Sequence, residues 1–314
     1  MTILITGGSG FIGLELSKLL VEKGHRIILF DIVPPEKGKG AGENVTFVRG
    51  NISDWAEVLN VVRDWKVEHV FHLAAMLSAQ CEANPWAAVQ VNGLGTYHTL
   101  EASRLFGVKK VIFTSSMGTY GVIPSGMVKD DTVQRPQIMY GVTKVFGELL
   151  GLYYHQRFGI DFRGVRFPQL LGPGIKSEGY GQYNPKIIES AIRGIPFEAW
   201  VTEETSIPMM YIKDAVRCLL ELFEADEGKI KTRVYTVGQI LPSPTAGDLL
   251  REIKKHIREV AITFKPDPKA MGVLTALPKR LDDHEARAEW GWSIRYGLGE
   301  MVEDFIKESH SDLP

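Results

Sequence analysis

At 314 residues, 44% apolar and 24% charged, the chain has an ordinary globular composition and is long enough for one large domain or two modest ones. Thirty-six basic and thirty-eight acidic side chains leave a formal net charge of -2, with no basic run longer than Lys109-Lys110 and Lys254-Lys255, so the electrostatic footprint of a nucleic-acid binder is absent. Cys81 and Cys218 stand far apart with no Cys/His cluster, which excludes a disulfide framework and a structural metal, and no apolar run reaches the ~18 residues of a membrane span. The composition predicts an untargeted cytoplasmic protein that binds neither metal, nucleic acid nor membrane.

Along the chain, strand-length apolar runs alternate with helix-length amphipathic ones. "TILIT" precedes "FIGLELSKLLVEKG", then come "RIILFD", "VTFVRG" with "WAEVLNVVRDW", "HVFHLAA" with "AAVQVNGLGTYHTLEASRLFG", and "KKVIFTSS" with "MYGVTKVFGELLGLYYHQRFG". This alternation predicts repeated βαβ units and a doubly wound parallel sheet of the α/β class. A further strand, "DFRGVRFP", leads into "QLLGPGIKSEGYGQYNP", whose glycines and prolines break the pattern. We therefore expect one unit over 1–168, to which the chain returns around 205–240 through "SIPMMYIKDAVRCLLELFEA" and "VYTVG". A smaller C-terminal α/β lobe then takes 169–204 and 241–314, with Trp290 and Trp292 in its packing.

The first strand runs directly into Gly7, Gly8, Gly10 and Gly13, with Phe11 and Ile12 opening the helix. Such a loop turns tightly, lets backbone approach a pyrophosphate, and aims the free N–H groups of the helix at it. Asp31 ends the second strand eighteen residues beyond Gly13, where a carboxylate would bind the adenosine ribose and repel a 2′-phosphate. The pattern predicts NAD rather than NADP, with Asn51 and Ile52 flanking the adenine.

Tyr140 and Lys144, in "YGVTK", lie one helical turn apart. A phenol near ~10 and an amine near ~10.4 are poor bases at neutral pH. An ammonium and the positive ring of NAD beside the phenol both favour phenolate, and a drop of ~3 units requires roughly 4 kcal/mol. Tyr140 is then the expected base, while Ser115 and Ser116, at the carboxyl edge of the sheet, are placed to hold the substrate oxygen. His72 reads as packed at a strand end, and His98 and His155 as structural.

Together, "TGGSGFIG", Asp31, "HLAA" at 72–75, Asn92, "TSSMGTYG" and "YGVTK" resemble the extended short-chain dehydrogenases/reductases, which include nucleotide-sugar epimerases and dehydratases. The resemblance implies a Rossmann NAD domain with Ser116, Tyr140 and Lys144 as catalytic residues. It also implies cofactor contacts from Leu73, Ala74, Ala75, Asn92, Thr114 and Phe167, a C-terminal substrate lobe for a small molecule, and a homodimer built on helices of the main domain. Nucleotide-sugar members carry an Arg where this chain has Pro208-Met209-Met210. Losing a cation opposite a diphosphate removes charge-assisted hydrogen bonds, which favours a small acid or amino acid.

"HLAAMLSAQCEANP", "RPQIMYGVTKVFGELLGLYYHQRFG", "VRFP", "IPMMYIKDA" and "LDDHEARAEWGWSI" are similar to the short-chain type of threonine dehydrogenase. That resemblance implies oxidation of L-threonine to 2-amino-3-ketobutyrate, with Ser78 and Tyr140 on the substrate and Met209, Met210 and Tyr211 lining the pocket. Two departures stand out: Pro168-Gln169 replaces Pro-Gly, and "SEGYGQYNPKIIESA" lacks the Thr-Thr-Asp of that group. Gln169 and Tyr183 would then shape a pocket for a different polar substrate. "LLGPG" is shared with epimerases, so an NAD-retaining nucleotide-sugar epimerase or dehydratase is the alternative.

Overall fold

The computed structural model describes residues 1–36, 38, 40, 42–123, 126–175 and 179–311. Its centre is a seven-stranded, wholly parallel sheet of β1 (Thr2–Thr6), β2 (Arg26–Asp31), β3 (Val45–Arg49), β4 (His69–His72), β5 (Lys110–Ser116), β6 (Asp161–Phe167) and β7 (Val234–Thr236). The order is β7-β6-β5-β4-β1-β2-β3. β1 pairs with β2 on one side and β4 on the other, so the strand order reverses there and a crevice opens beyond their carboxyl ends. This is the Rossmann-like α/β fold expected from the alternating runs.

β1 is apolar at successive positions because both its faces are covered. Ile3 and Ile5 join one buried cluster and Leu4 the other, all fully buried. Helices α1 (Phe11–Glu22) and α6 (Ile212–Glu224) pack together over the first face. On the second face, α2 (Trp55–Asp64), α3 (Gly95–Phe106) and α4 (Met139–Phe158) follow one another, α2 against α3 and α3 against α4. Asp54 caps α2 by accepting from Glu57 N, which fixes where that helix begins.

The run at 87–107 is not one uniform helix: a short helix Pro85–Ala88 passes through a π-turn, Val89–Leu94, before α3 begins at Gly95. A Cβ at Gly95 would lie 2.9 Å from Ile52, so only glycine lets α3 sit this near the third strand's exit loop.

After β6, the segment Gln169–Leu171 pairs in parallel with Met209–Tyr211, and α5 (Tyr183–Arg193), α7 (Ala246–His256) and α8 (Leu298–Ser311) pack on one another. Val234–Thr236 rejoins the main sheet as its edge. The first buried cluster runs without a break from Ile3 through Leu171, Tyr183 and Met209 to Trp292 and Phe305, so the lobes share one core. The tail helix His284–Trp290 stops at Gly291, which takes φ 76°, and the chain turns Trp292 inward to 1% exposure. Among the described residues no helix is long and apolar enough to cross a membrane.

Candidate active site

The crevice beyond β1 and β4 is a cavity of about 880 Å³, within the range of ligand sites. Gly7, at φ 67°, donates to Phe30 O at 2.9 Å, and Gly10 N to Gly7 O at 3.0 Å. A Cβ at Gly13 would lie 2.7 Å from the carbonyl oxygens of Gly7 and Gly8, so the loop closes only around glycine. The start of α1 carries neither a side-chain cap nor an acidic residue in its first turn. Its free N–H groups, from the stretch that includes Phe11, Ile12 and Gly13, therefore form part of the cavity wall.

Asp31 lies on the same cavity, fixed by Ser9 N at 3.1 Å to one oxygen and Val33 N at 3.2 Å to the other. Asn51 and Ile52 also line it, although the Asn51 side-chain Oδ1 is occupied by Ser53 N and Oγ. An uncapped helix N-terminus, a loop without room for a Cβ and a carboxylate one strand away suit the residues to a dinucleotide.

Further along the wall come Leu73, Ala74, Ala75, Thr114, Ser116 and Phe167, then Tyr140 and Lys144 from the first turns of α4. The Lys144 ammonium donates to Thr114 O at 2.6 Å and lies 5.6 Å from the centre of the Tyr140 ring. Burial is the main influence on both groups. It pulls Lys144 down to about 8, against the opposing pull of Cys81 and Glu148, and pushes Tyr140 above its ordinary range, only partly offset by a hydrogen bond with Ser116. The expected depression of Tyr140 thus does not arise from the protein's own groups, because desolvation of the phenolate outweighs them. Ser116 Oγ also accepts from Gly118 N at 3.1 Å.

Beyond Tyr140 the wall is made by Ser78 and Gln169, together with Met76, Leu77, Gln80 and Gln182, which the sequence reading did not single out. The first three could have been found as continuations of "HLAA", and Gln182 as the polar residue in "GYGQY". Gln169 is not free: its amide donates to Gly181 O and accepts from Asn184 Nδ2 at 3.4 Å. Part of the loop after Gln169, 176–178, lies outside the described residues.

Four of the expected contact residues are placed elsewhere. Asn92, Tyr183, Met209 and Met210 are not among the described residues that line the cavity. Asn92 is buried and exchanges hydrogen bonds with Met76 N and O and Thr143 Oγ1, holding the strand-exit loop to α4. Tyr183 is fully buried, donating to Thr205 O at 3.4 Å, and both methionines are fully buried in a strand that pairs with Gln169–Leu171. Ser115 borders the cavity, but its hydroxyl is spent on Glu148, a residue the sequence reading did not single out. His72 is packed, between Thr6 Oγ1 at 2.7 Å and Thr96 Oγ1 at 3.0 Å, and burial lowers it to about 3.

The chain matches the NAD dependent epimerase/dehydratase family over residues 3–238. It is 33% identical over 305 residues to the mitochondrial L-threonine 3-dehydrogenase of Bos taurus, covering 96% of this chain and 80% of that one. Among solved structures, the GalE-like L-threonine dehydrogenase of Cupriavidus necator in its holo form superposes with a TM-score of 0.90 at 33% identity, over 98% of this chain and 99% of the other. A monomeric L-threonine 3-dehydrogenase from a metagenome database superposes equally well, with a TM-score of 0.90 at 32% identity, over 98% and 99%. With its glycine loop, the Asp31 carboxylate and the Ser116–Tyr140–Lys144 group on one crevice, the chain belongs to the NAD-dependent epimerase/dehydratase family and is an NAD-dependent enzyme.

Proposed function

We propose that the protein is a dehydrogenase that oxidises the secondary alcohol of a small hydroxy amino acid or hydroxy acid, with L-threonine, giving 2-amino-3-ketobutyrate, as the leading substrate. One observation carries the small-substrate reading: among the described residues lining the cavity, Asp31 and Lys144 are the only charged ones. No cation there stands opposite a second diphosphate, whereas Ser78, Gln80 and Gln182 offer neutral hydrogen bonds of the kind a compact polar molecule uses. The similarity to L-threonine 3-dehydrogenases along both lobes points the same way.

In this reading Tyr140 takes the hydroxyl proton of the substrate, Ser116 orients that hydroxyl, and Lys144 holds the ribose while keeping a positive charge near the phenol. Bound NAD supplies the hydride acceptor and a second positive charge beside Tyr140. Gly7, Gly10, Gly13, Phe11 and Ile12 hold the pyrophosphate, Asp31 the ribose, Asn51 and Ile52 the adenine, and Leu73, Ala74, Ala75, Thr114 and Phe167 the remaining walls. Ser78 holds the carboxylate end of the substrate. We assign 1–168, with 205–240, to the cofactor unit and 169–204 with 241–314 to the substrate lobe.

The test is NADH formation from NAD and L-threonine; activity confined to other hydroxy acids sinks the threonine version. The family match favours a second reading, an NAD-retaining nucleotide-sugar epimerase or dehydratase. Conversion of a UDP- or dTDP-sugar without net NADH would establish it.

We also propose a homodimer through the outer faces of α3 and α4, where Tyr97, Phe146, Leu149 and Tyr153 are 40 to 60% exposed. The monomeric relative counts against it, and the mass of the protein in solution decides. Two free, buried cysteines suit a reducing cytoplasm.

A further inference from the structure

Glu148 lies one turn beyond Lys144 on α4 and is 2% exposed. Its carboxylate accepts from the hydroxyl of Ser115, which adjoins Ser116, and from Arg166 of β6, through Nε at 3.0 Å and Nη2 at 2.7 Å. Gln134 Nε2 adds a bond at 2.9 Å. Arg166 carries the link onward, donating to Tyr120 OH at 3.0 Å and Asp130 O at 2.8 Å. Lys144 meanwhile donates to Thr114 O, one residue before Ser115. The helix that carries Tyr140 is thus tied at two consecutive residues of β5 and, on β6, at the residue before Phe167.

The helix also sits unusually near the sheet. A Cβ at Gly147 would fall 2.6 Å from the Phe113 ring of β5, and one at Gly151 would run into the Phe162 ring of β6. With so little side chain between the layers, the polar ties set the register of the helix against the strand that carries Ser116.

We propose that Glu148, acting with Arg166, is a positioning residue for the proton-transfer group: its buried carboxylate clamps α4 onto β5 and β6 and so fixes Tyr140 and Lys144 against Ser116. The ties also shape the electrostatics. Lys144 faces Cys81 from the helix Ser78–Ala83, Tyr140 and Glu148 from α4, and His72 from β4. Of these, Cys81 and Glu148 favour its ammonium against burial. On the other side of Glu148 stands Arg166, with Tyr120 and Asp130 behind it. An ion pair that merely held two layers together would leave the turnover number alone.

The inference rests on the proton-transfer role proposed above for Tyr140, so its test includes a reading that needs no substrate. Lys144 is titrated by NMR in full-length protein labelled with carbon-13 lysine, with Lys144→Met to identify its resonance. The variants are Ser115→Ala, Glu148→Gln, and Glu148→Met combined with Arg166→Met, which removes the pair without leaving one charge stranded. Both Glu148 variants should move the Lys144 titration to lower pH. With the alcohol that the wild type oxidises, they should lower kcat by about ten- to a hundredfold, the scale set by a misplacement of ~1 Å. Ser115→Ala should lower kcat by about tenfold and leave KM for that alcohol within about twofold.

An unmoved Lys144 titration with wild-type kcat in the double variant overturns the proposal. A rise in KM with unchanged kcat in Ser115→Ala does so too, since that is the behaviour of a substrate contact. If Glu148→Gln alone fails to fold, the other two variants decide. A wild type inactive on every alcohol would refute the dehydrogenase reading and still leave the lysine titration to judge the clamp.

Discussion

The two ends of the cavity are built differently. At the end proposed to hold the nucleotide, backbone makes the wall: Gly7, Gly10 and Gly13 come from a single turn between β1 and α1, and one carboxylate, Asp31, ends the next strand. At the far end, side chains from separate parts of the chain converge, Ser78 and Gln80 after β4, Gln169 after β6 and Gln182 before α5. A backbone site leaves a fixed spacing in the sequence. A convergent site leaves single polar residues scattered over a hundred positions, and only folding reveals which of them meet.

The difference can be tested, beginning with the junction of the two ends. Tyr140→Phe keeps the ring and removes the proton acceptor, so turnover should fall by about a thousandfold while NAD binding persists; activity near that of the wild type would mean that another group takes the proton. At the nucleotide end, Gly13→Ala forces a methyl group against two carbonyl oxygens. NAD binding measured by calorimetry should weaken by about a hundredfold, or about 3 kcal/mol. A mild effect would show that the loop yields, contrary to its close packing.

A pH effect of similar size lies in the core beneath that loop. His72 is held neutral down to about 3 and His69 to about 4, in both cases mainly by burial. Unfolded histidines take up protons near ~6.5, so the stability tied to these two groups is complete above that pH and is lost as the pH falls from there toward about 4 for His69 and about 3 for His72. By pH 4.5 the fully buried His72 alone should cost about 2 to 3 kcal/mol in denaturant titrations, and His72→Asn should flatten the acid slope. The smallest effect is expected from Asp31→Ser, which should reduce the preference for NAD over NADP by about tenfold, near 1.4 kcal/mol. Equal binding of both cofactors by the wild type would remove Asp31 from the argument.

What was legible, and what was not, follows the same division. Ser116, Tyr140 and Lys144 were readable because they sit at a strand end and one helical turn apart, local spacings that survive in the sequence. Met209 and Met210 misled: their neighbourhood suggested a pocket wall, yet the strand they form is covered on both sides and its side chains are fully buried. Tyr183 opens a helix whose apolar face enters the shared core, so its hydroxyl meets a carbonyl at Thr205 instead of a ligand. Ser115 and Ser116 are indistinguishable by type, but alternation along β5 sends one hydroxyl to Glu148 and leaves the other beside Tyr140.

The sequence by itself determined the parallel sheet, the glycine loop, an NAD-dependent enzyme and the one-turn spacing of Tyr140 and Lys144, because each depends on residues within one strand, turn or helix. Tertiary structure alone decided which residues line the cavity and which lie behind it. It brought Gln80, Gln169 and Gln182 to one wall, withdrew Asn92, Tyr183 and the two methionines into packing, and set Glu148 and Arg166 beneath the reactive side chains. Those outcomes turn on the closeness of layers far apart in the chain, a distance that no local spacing encodes.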